Sequence, residues 1–191
     1  MSCQVCGCRF AARRDARFCS TRCRVWAHRH RSSGPPRELC RLDRWVLFDS
    51  RKVPRRVDRP SWPASSTDPA SWSSFNSASA AVGSSGFACG VGFVLTGDGV
   101  CAIDLDHCIN PDGSLEPFAR EILARCPRTY VEVSPSGTGL HIFGFGLVGG
   151  GRRMDGVEVY DRGRYMTVTG QAFRDFPRRL AKVQPLVDSL L

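Results

Sequence analysis

An α+β fold, with short strands outnumbering helices, is what this sequence predicts, and three observations carry that expectation. Runs rich in Val, Ile, Phe and Tyr recur between turns built from Gly, Ser and Asp, the pattern of half-buried strands. Few stretches have helical character. At 191 residues and 42% hydrophobic content, the chain can bury one good core and one small accessory module.

The N-terminal end is the accessory module. Cys3-x2-Cys6 is followed after twelve residues by Cys19-x3-Cys23. The first pair suits a knuckle turn, and the second puts both sulfurs on one side of a first helical turn. Four thiolates in this arrangement make a closed structural Zn²⁺ site. Cys8 in place of Cys6, and His28 or His30 in place of Cys23, remain open as ligands. Regular pairs in a chain read as cytoplasmic favour metal over disulfide, because that compartment is reducing. Cys40, Cys89, Cys101, Cys108 and Cys126 have no ligand spacing and read as small buried or half-buried residues. Residues 1–31 are thus expected to form a basic zinc-binding module. Residues 32–37 are a linker whose Gly34-Pro-Pro cannot continue a helix, and 38–191 form the main domain.

Within the main domain a strand is expected around 44–49, then a Pro/Ser-rich connection over 53–70 that reads as a mobile loop, and a helix over 72–82. Strands at 91–95 and 100–104 are joined by Thr96-Gly-Asp-Gly. A helix over 115–126 carries Leu115, Phe118, Ala119 and Ile122 at helical spacing. Two hairpins follow, the second around a tight Asp161-Arg-Gly turn, and a final helix is expected over about 177–191.

The chemistry concentrates in three of these elements. In Gly99-Val-Cys-Ala-Ile-Asp-Leu-Asp-His, alternation along a strand puts Asp104 and Asp106 on one face, where paired carboxylates repel unless a hard cation such as Mg²⁺ or Mn²⁺ joins them. Thr129-Tyr-Val-Glu-Val-Ser-Pro-Ser-Gly-Thr-Gly-Leu-His reads as strand, glycine-rich turn, strand. Gly137 and Gly139 permit positive φ and close backbone approach, so that amides can face an anion; Ser134 and Ser136 add hydroxyls, and His141 opens the second strand. In Gly156-Val-Glu-Val-Tyr-Asp-Arg-Gly-Arg-Tyr, Glu158 is a candidate third carboxylate. Arg164 offers a planar fork to phosphate and Tyr165 a flat face to a base or sugar.

Taken in this order, the three elements resemble the primase-polymerase branch of the archaeo-eukaryotic primase superfamily, as found in phage and plasmid replication proteins. The acid-x-acid motif falls on Asp104 and Asp106, the Ser-x-Ser-Gly-x-Gly-x-His motif on Ser134, Ser136, Gly137, Gly139 and His141, and the later acid on Glu158, with Arg164 and Tyr165 as the Arg-aromatic pair. Upstream, Arg44-Trp-Val-Leu-Phe, Lys52-Val-Pro and Asp68-Pro-Ala-Ser-Trp look like the family's opening strand, basic turn and first helix entry, so the resemblance covers about residues 41 to 175. It implies a sheet like that of an RNA-recognition motif packed on a smaller α/β unit. It also implies DNA template and primer as partners, dNTP or NTP as substrate, and template-dependent nucleotidyl transfer on Mg²⁺ or Mn²⁺ held by Asp104, Asp106 and Glu158.

Charge is unevenly placed. Residues 1–60 carry 16 Lys or Arg against 5 acids, and the rest 11 against 13, so the net +9 lies at the N-terminal end. Arginine-dense surface of this kind suits nucleic-acid phosphates. The apolar runs fall short of a membrane span and Met1-Ser-Cys-Gln lacks a signal-peptide pattern, so a soluble cytoplasmic protein with no membrane partner is expected. No P-loop is present, and a helicase partner is expected on a separate chain if there is one. Two other classes fit parts of the pattern: a non-catalytic zinc-containing DNA-binding protein, and a metal-dependent nuclease built on the same acids.

Overall fold

The computed structural model describes residues 16, 18–21, 34–84, 86 and 88–191. The chain divides into two compact units, Met1–Gly34 and Pro35–Leu191. Of the cysteines expected to hold zinc, Cys3, Cys6 and Cys23 lie outside the described residues, as does most of the module around Cys19. Among the described residues no helix is long and apolar enough to cross a membrane.

The second unit is α+β. Its elements, in chain order, are α1 (Arg37–Cys40), β1 (Trp45–Phe48), β2 (Pro54–Arg55), α2 (Phe75–Ser84), β3 (Gly90–Thr96), β4 (Val100–Leu105), α3 (Pro117–Arg125), β5 (Tyr130–Val133), β6 (Leu140–Phe145), β7 (Arg152–Met154), β8 (Val157–Tyr160), β9 (Arg162–Val168) and α4 (Gln184–Asp188). The strands make two antiparallel sheets, one in the order β2-β1-β3-β9 and one in the order β5-β6-β4-β8-β7. β4 lies in the middle of the larger sheet. Its apolar run Val100-Cys-Ala-Ile is buried on both faces, as a central strand requires.

Each face of β4 serves a different core. Cys101, Ile103 and Leu105 pack with Val131, Ile142, Val157 and Val159, with Ala119 and Ile122 of α3, and with Leu186 and Val187 of α4. Ala102 on the opposite face packs with Tyr130, Phe143 and Tyr160 against Trp45, Phe93, Leu95 and Met166 of the smaller sheet. Burying this much aliphatic and aromatic surface, at roughly 25 cal/mol per Å², is what holds the two sheets together.

Five expectations are corrected. The 53–70 connection is built: β2 pairs with β1, Arg55 bridges to Pro63, Ala64 N–H bonds the Pro54 carbonyl, and Trp72 Nε1 donates to the Ser65 carbonyl. The segment around Asp161 is not a hairpin, because β8 pairs with β4 and β7 while β9 pairs with β3, so the chain passes from one sheet to the other. The hairpin is β7–β8, turned by Asp155-Gly156, a strong short-range turn signal. The last helix is only Gln184–Asp188. Residues before it run beside β6, where Phe145 N–H bonds the Ala181 carbonyl and Val183 N–H the Phe145 carbonyl, and Pro185 sits in its first turn. Cys89 is exposed, whereas Cys101 and Cys108 are buried and Cys40 and Cys126 intermediate. Helix α2 starts at Phe75, not at 72, since Ser73 is paired with Trp45 and the Ser74 hydroxyl caps the Ser77 amide at 3.2 Å.

Candidate active site

The register of the larger sheet builds the site. Asp104 on β4 lies opposite His141 on β6 and opposite Glu158 on β8; His141 in turn lies opposite Glu132 on β5, and Glu158 opposite Arg153 on β7. Directly opposed residues share a face, so five side chains from five strands form one row: Glu132, His141, Asp104, Glu158, Arg153. Two residues further along the same face, Tyr130, Phe143, Ala102 and Tyr160 belong to the core between the sheets. The row is the polar margin of that core.

Glu132 is fully buried and well satisfied. It accepts from the Tyr130 hydroxyl at 2.7 Å and from the Thr169 and Gly170 amides at 3.1 and 2.9 Å, and its Oε1 lies 3.2 Å from His141 Nδ1. That bond aims His141 Nε2 along the row, 3.6 Å from Asp104 Oδ1. Burial disfavours the imidazolium, but the Glu132 hydrogen bond and the Asp104 charge outweigh it and raise the His141 pKa.

Asp104 Oδ1 is buried and has no hydrogen-bond partner. A buried carboxylate oxygen left so is costly, about 1–3 kcal/mol or more for a charged group, and it suits an oxygen-seeking cation. Burial raises the Asp104 pKa; the His141 charge opposes this, and the Asp106 and Glu158 charges add to it. Asp106, just past the strand, shares with Asp155, Glu158 and Arg153 an open cleft of about 580 Å³. Among the described residues, no three His, Cys, Asp or Glu side chains form a ready-made cation cage. Glu158 is engaged by the Arg153 guanidinium and by the Tyr160 hydroxyl at 2.7 Å.

The glycine-rich turn joins β5 to β6. Gly137 adopts φ +79°, but Gly139 does not; a Cβ there would meet the Leu105 carbonyl at 2.8 Å, so glycine lets the turn press against the end of β4. The expectation of amides facing an anion is changed in detail. Gly137 N–H bonds the Ser134 carbonyl, Thr138 N–H the Ser136 hydroxyl and Gly139 N–H the Ser134 hydroxyl, while Ser134, Ser136 and Thr138 form a chain of hydroxyls 2.9 and 3.0 Å apart. The groups this turn presents are hydroxyls, with Ser136 and Thr138 exposed.

Arg164 and Tyr165 part company, as neighbours on a strand must. Arg164 stacks 4.8 Å over Tyr160 and donates to its hydroxyl at 3.3 Å, so it reaches the Glu158 end of the row. Tyr165 packs near Val46, Val94 and Trp72 on the other face, and its hydroxyl donates to the Lys52 carbonyl. Burial pushes the Tyr165 pKa up to about 12, which keeps it a donor. The structure therefore gathers Asp104, Asp106, Glu158, His141 and Arg164 and leaves Tyr165 behind them.

Two contributors escaped the sequence reading. Glu132 had a signal, an acid inside the apolar run Tyr130-Val-Glu-Val, but its partner is found only through the β5–β6 register. Lys52 had none beyond its basic turn. It is exposed, held at φ +57° between Asp49 and Val53, and its charge is felt at both Asp104 and His141. Asp49 builds that turn by accepting from the Arg51 and Val53 amides at 2.9 Å each and from Arg55 at 2.8 Å.

No protein-family model matches the chain. It is similar to a phage primase-polymerase. Over 147 residues it is 37% identical to the DNA primase-polymerase of Nitratiruptor phage NrS-1, covering 71% of this chain and 20% of that protein. The chain thus spans about a fifth of the length of the relative it matches.

Proposed function

We propose that the second unit is the catalytic domain of a DNA primase-polymerase of the archaeo-eukaryotic primase type, a template-dependent nucleotidyltransferase acting on dNTP or NTP. The observation that carries this reading is the buried Asp104 Oδ1, left without a hydrogen bond, in a row with His141 and Glu158 and beside an acid-walled cleft. The 37% identity to a phage DNA primase-polymerase supports it independently. The two antiparallel sheets fit the family's catalytic fold, in which the larger sheet would be the one resembling an RNA-recognition motif.

Asp104 and Asp106 would hold Mg²⁺ or Mn²⁺, with Glu158 joining by exchanging Arg153 for the ion. When bound, such an ion activates the attacking 3′-hydroxyl and stabilises the pyrophosphate that leaves. The remaining roles belong to the chain. His141, held by Glu132, donates from Nε2 to a triphosphate oxygen, and the Ser134–Ser136–Thr138 hydroxyls add further donors at the same end of β6. Arg164, pre-oriented on Tyr160, opposes charge on the transferred phosphoryl group. Tyr165 acts through the backbone, fixing Lys52 in place. The N-terminal cysteines would hold a structural Zn²⁺ in a module that adds DNA affinity.

Incubation with a primed template, dNTPs and Mn²⁺, scored for extension and degradation together, tests the reading. Extension by the wild-type chain, abolished by Asp104→Ala, is the expected result. Degradation without extension would favour a nuclease, and binding with neither would favour a non-catalytic DNA-binding protein.

A further inference from the structure

The segment between β1 and the 3-10 turn at Pro69–Ser71 forms a finger with a tryptophan at its tip. Its base is closed by the β1–β2 pairing and by Asp49, which clasps Arg55 and the amides of Arg51 and Val53. Its shaft is closed by the Arg55–Pro63 bridge, the Arg56 N–H to Trp62 carbonyl bond at 3.0 Å and the Arg55 guanidinium to Ser61 carbonyl bond at 3.2 Å. A tight turn, with Trp62 N–H bonded to the Arg59 carbonyl at 2.8 Å, ends it. Both sides of the base are tied to β9 around Arg164: the Tyr165 hydroxyl bonds the Lys52 carbonyl, and the Ser66 hydroxyl bonds the Gly163 carbonyl at 2.9 Å.

Trp62 is 58% exposed, whereas Trp45 is fully buried and Trp72 is half-buried with its indole N–H bonded. A rigid shaft that ends in an exposed indole, with Arg59 5.5 Å from the ring centroid, offers a flat apolar face beside a planar cation. Five cationic residues occupy positions 51–62; Arg55 and Arg56 are paired with Asp49 and Asp58, while Arg51, Lys52 and Arg59 are exposed. An aromatic face set among such charges complements a strand whose bases are unpaired: the ring stacks on a base, and the cations meet the phosphates on either side.

We propose that the Trp62 finger is a binding site for single-stranded DNA, with Trp62 stacking on an unpaired base and Arg59 and Arg51 contacting the flanking phosphates. Because the finger is tied to β9 beside Arg164 and carries Lys52 at its base, the strand it grips is led toward the Asp104 row. That this strand is the template rests on the nucleotidyl-transfer reading; that the finger binds it does not. Duplex DNA hides its base faces and should bind there less well.

The test is fluorescence anisotropy of a labelled single-stranded oligonucleotide with the full chain and its Trp62→Ala, Trp62→Phe and Arg59→Ala variants. Thermal melting checks that each is folded, as substitution of an exposed side chain should leave it. Trp62→Ala should weaken binding by about five- to 150-fold, the range of one lost base stack, and Trp62→Phe should recover most of the loss. Arg59→Ala should lower the slope of log affinity against log salt by about 0.7, one phosphate contact on a single strand, and Trp62→Ala should leave that slope alone. On the same strand made abasic, wild type and Trp62→Ala should bind alike. Unchanged affinity in Trp62→Ala, an equal loss on the abasic strand, or an equal loss on blunt duplex would overturn the proposal. If Trp62→Ala loses single-strand affinity while the wild-type chain incorporates no nucleotide, the polymerase reading fails and the finger stands; incorporation with a neutral Trp62→Ala gives the opposite result.

Discussion

At the scale of single residues, the site depends on one buried carboxylate holding another group in line. Glu132, satisfied by Tyr130 and two backbone amides, has no freedom to turn, and it fixes which His141 nitrogen faces Asp104. Removing His141 as His141→Ala should therefore weaken apparent dNTP affinity while leaving template affinity near wild type, which steady-state kinetics and a binding titration read separately. A fall in template affinity at a constant dNTP Michaelis constant would contradict the assignment. Asp104 behaves differently. It sits in the row directly opposite Glu158, which lines the cleft, and Asp104→Ala should lower incorporation by roughly a thousandfold or more, since groups acting as one unit fail together. The same change removes a buried oxygen that lacks a hydrogen bond but also the charge facing His141, so the melting temperature should change little. Near-normal extension by Asp104→Ala would remove the metal assignment.

The element that most shapes the molecule is the continuous run from β8 through Asp161 into β9. One strand ends in the larger sheet and the next begins in the smaller, and the crossing is fixed by Asp161, whose buried carboxylate accepts from the Val148 and Gly149 amides at 2.7 and 3.1 Å and from Arg162 at 3.1 Å. Burial alone would raise its pKa, but the Val148 amide, Arg162 and the Gly149 amide outweigh that and lower it. A carboxylate whose folded pKa lies below its unfolded value of about 3.9 contributes stability above that value and loses it as pH falls through the folded pKa. Urea unfolding followed from about pH 6 to 2 should show this loss in the wild-type chain and a smaller one in Asp161→Asn. Asp161→Ala, which strands the buried Val148 amide and leaves the exposed Gly149 amide to water, should cost about 1–3 kcal/mol at neutral pH. Identical pH profiles for wild type and Asp161→Asn would show that Asp161 is not the anchor.

For the whole molecule, the division into Met1–Gly34 and Pro35–Leu191 separates the cysteine-rich, arginine-dense end from every residue of the row. A truncated chain beginning at Pro35 should therefore fold, melt cooperatively and extend a primer. It should bind DNA more weakly, with a shallower salt dependence, because Arg22, Arg24, Arg29 and Arg31 are gone and fewer counterions are released. The full chain, purified without chelators, should carry one Zn²⁺ by elemental analysis. Unchanged DNA affinity across a salt series after truncation would mean that the N-terminal end takes no part in binding.

Local sequence alone determined the α+β class, the strand carrying Asp104, the glycine turn before His141 and the acid at Glu158, because each rests on alternation or turn chemistry within a few residues. It misjudged what lies between them. The tertiary structure alone decided that Glu132, His141, Asp104, Glu158 and Arg153 stand in one row, since strands far apart in sequence acquire their register from pairing and burial over the whole sheet. It also decided that β8 and β9 part company. The tight turn at Asp161-Arg-Gly is compatible with a hairpin, but burial of Asp161 against the Val148 and Gly149 amides favours a crossing. The finger over 49–64 was hidden for the same reason: its Pro, Ser and Arg composition reads as loop, and its order comes from contacts with β1 and β9 that no local pattern encodes.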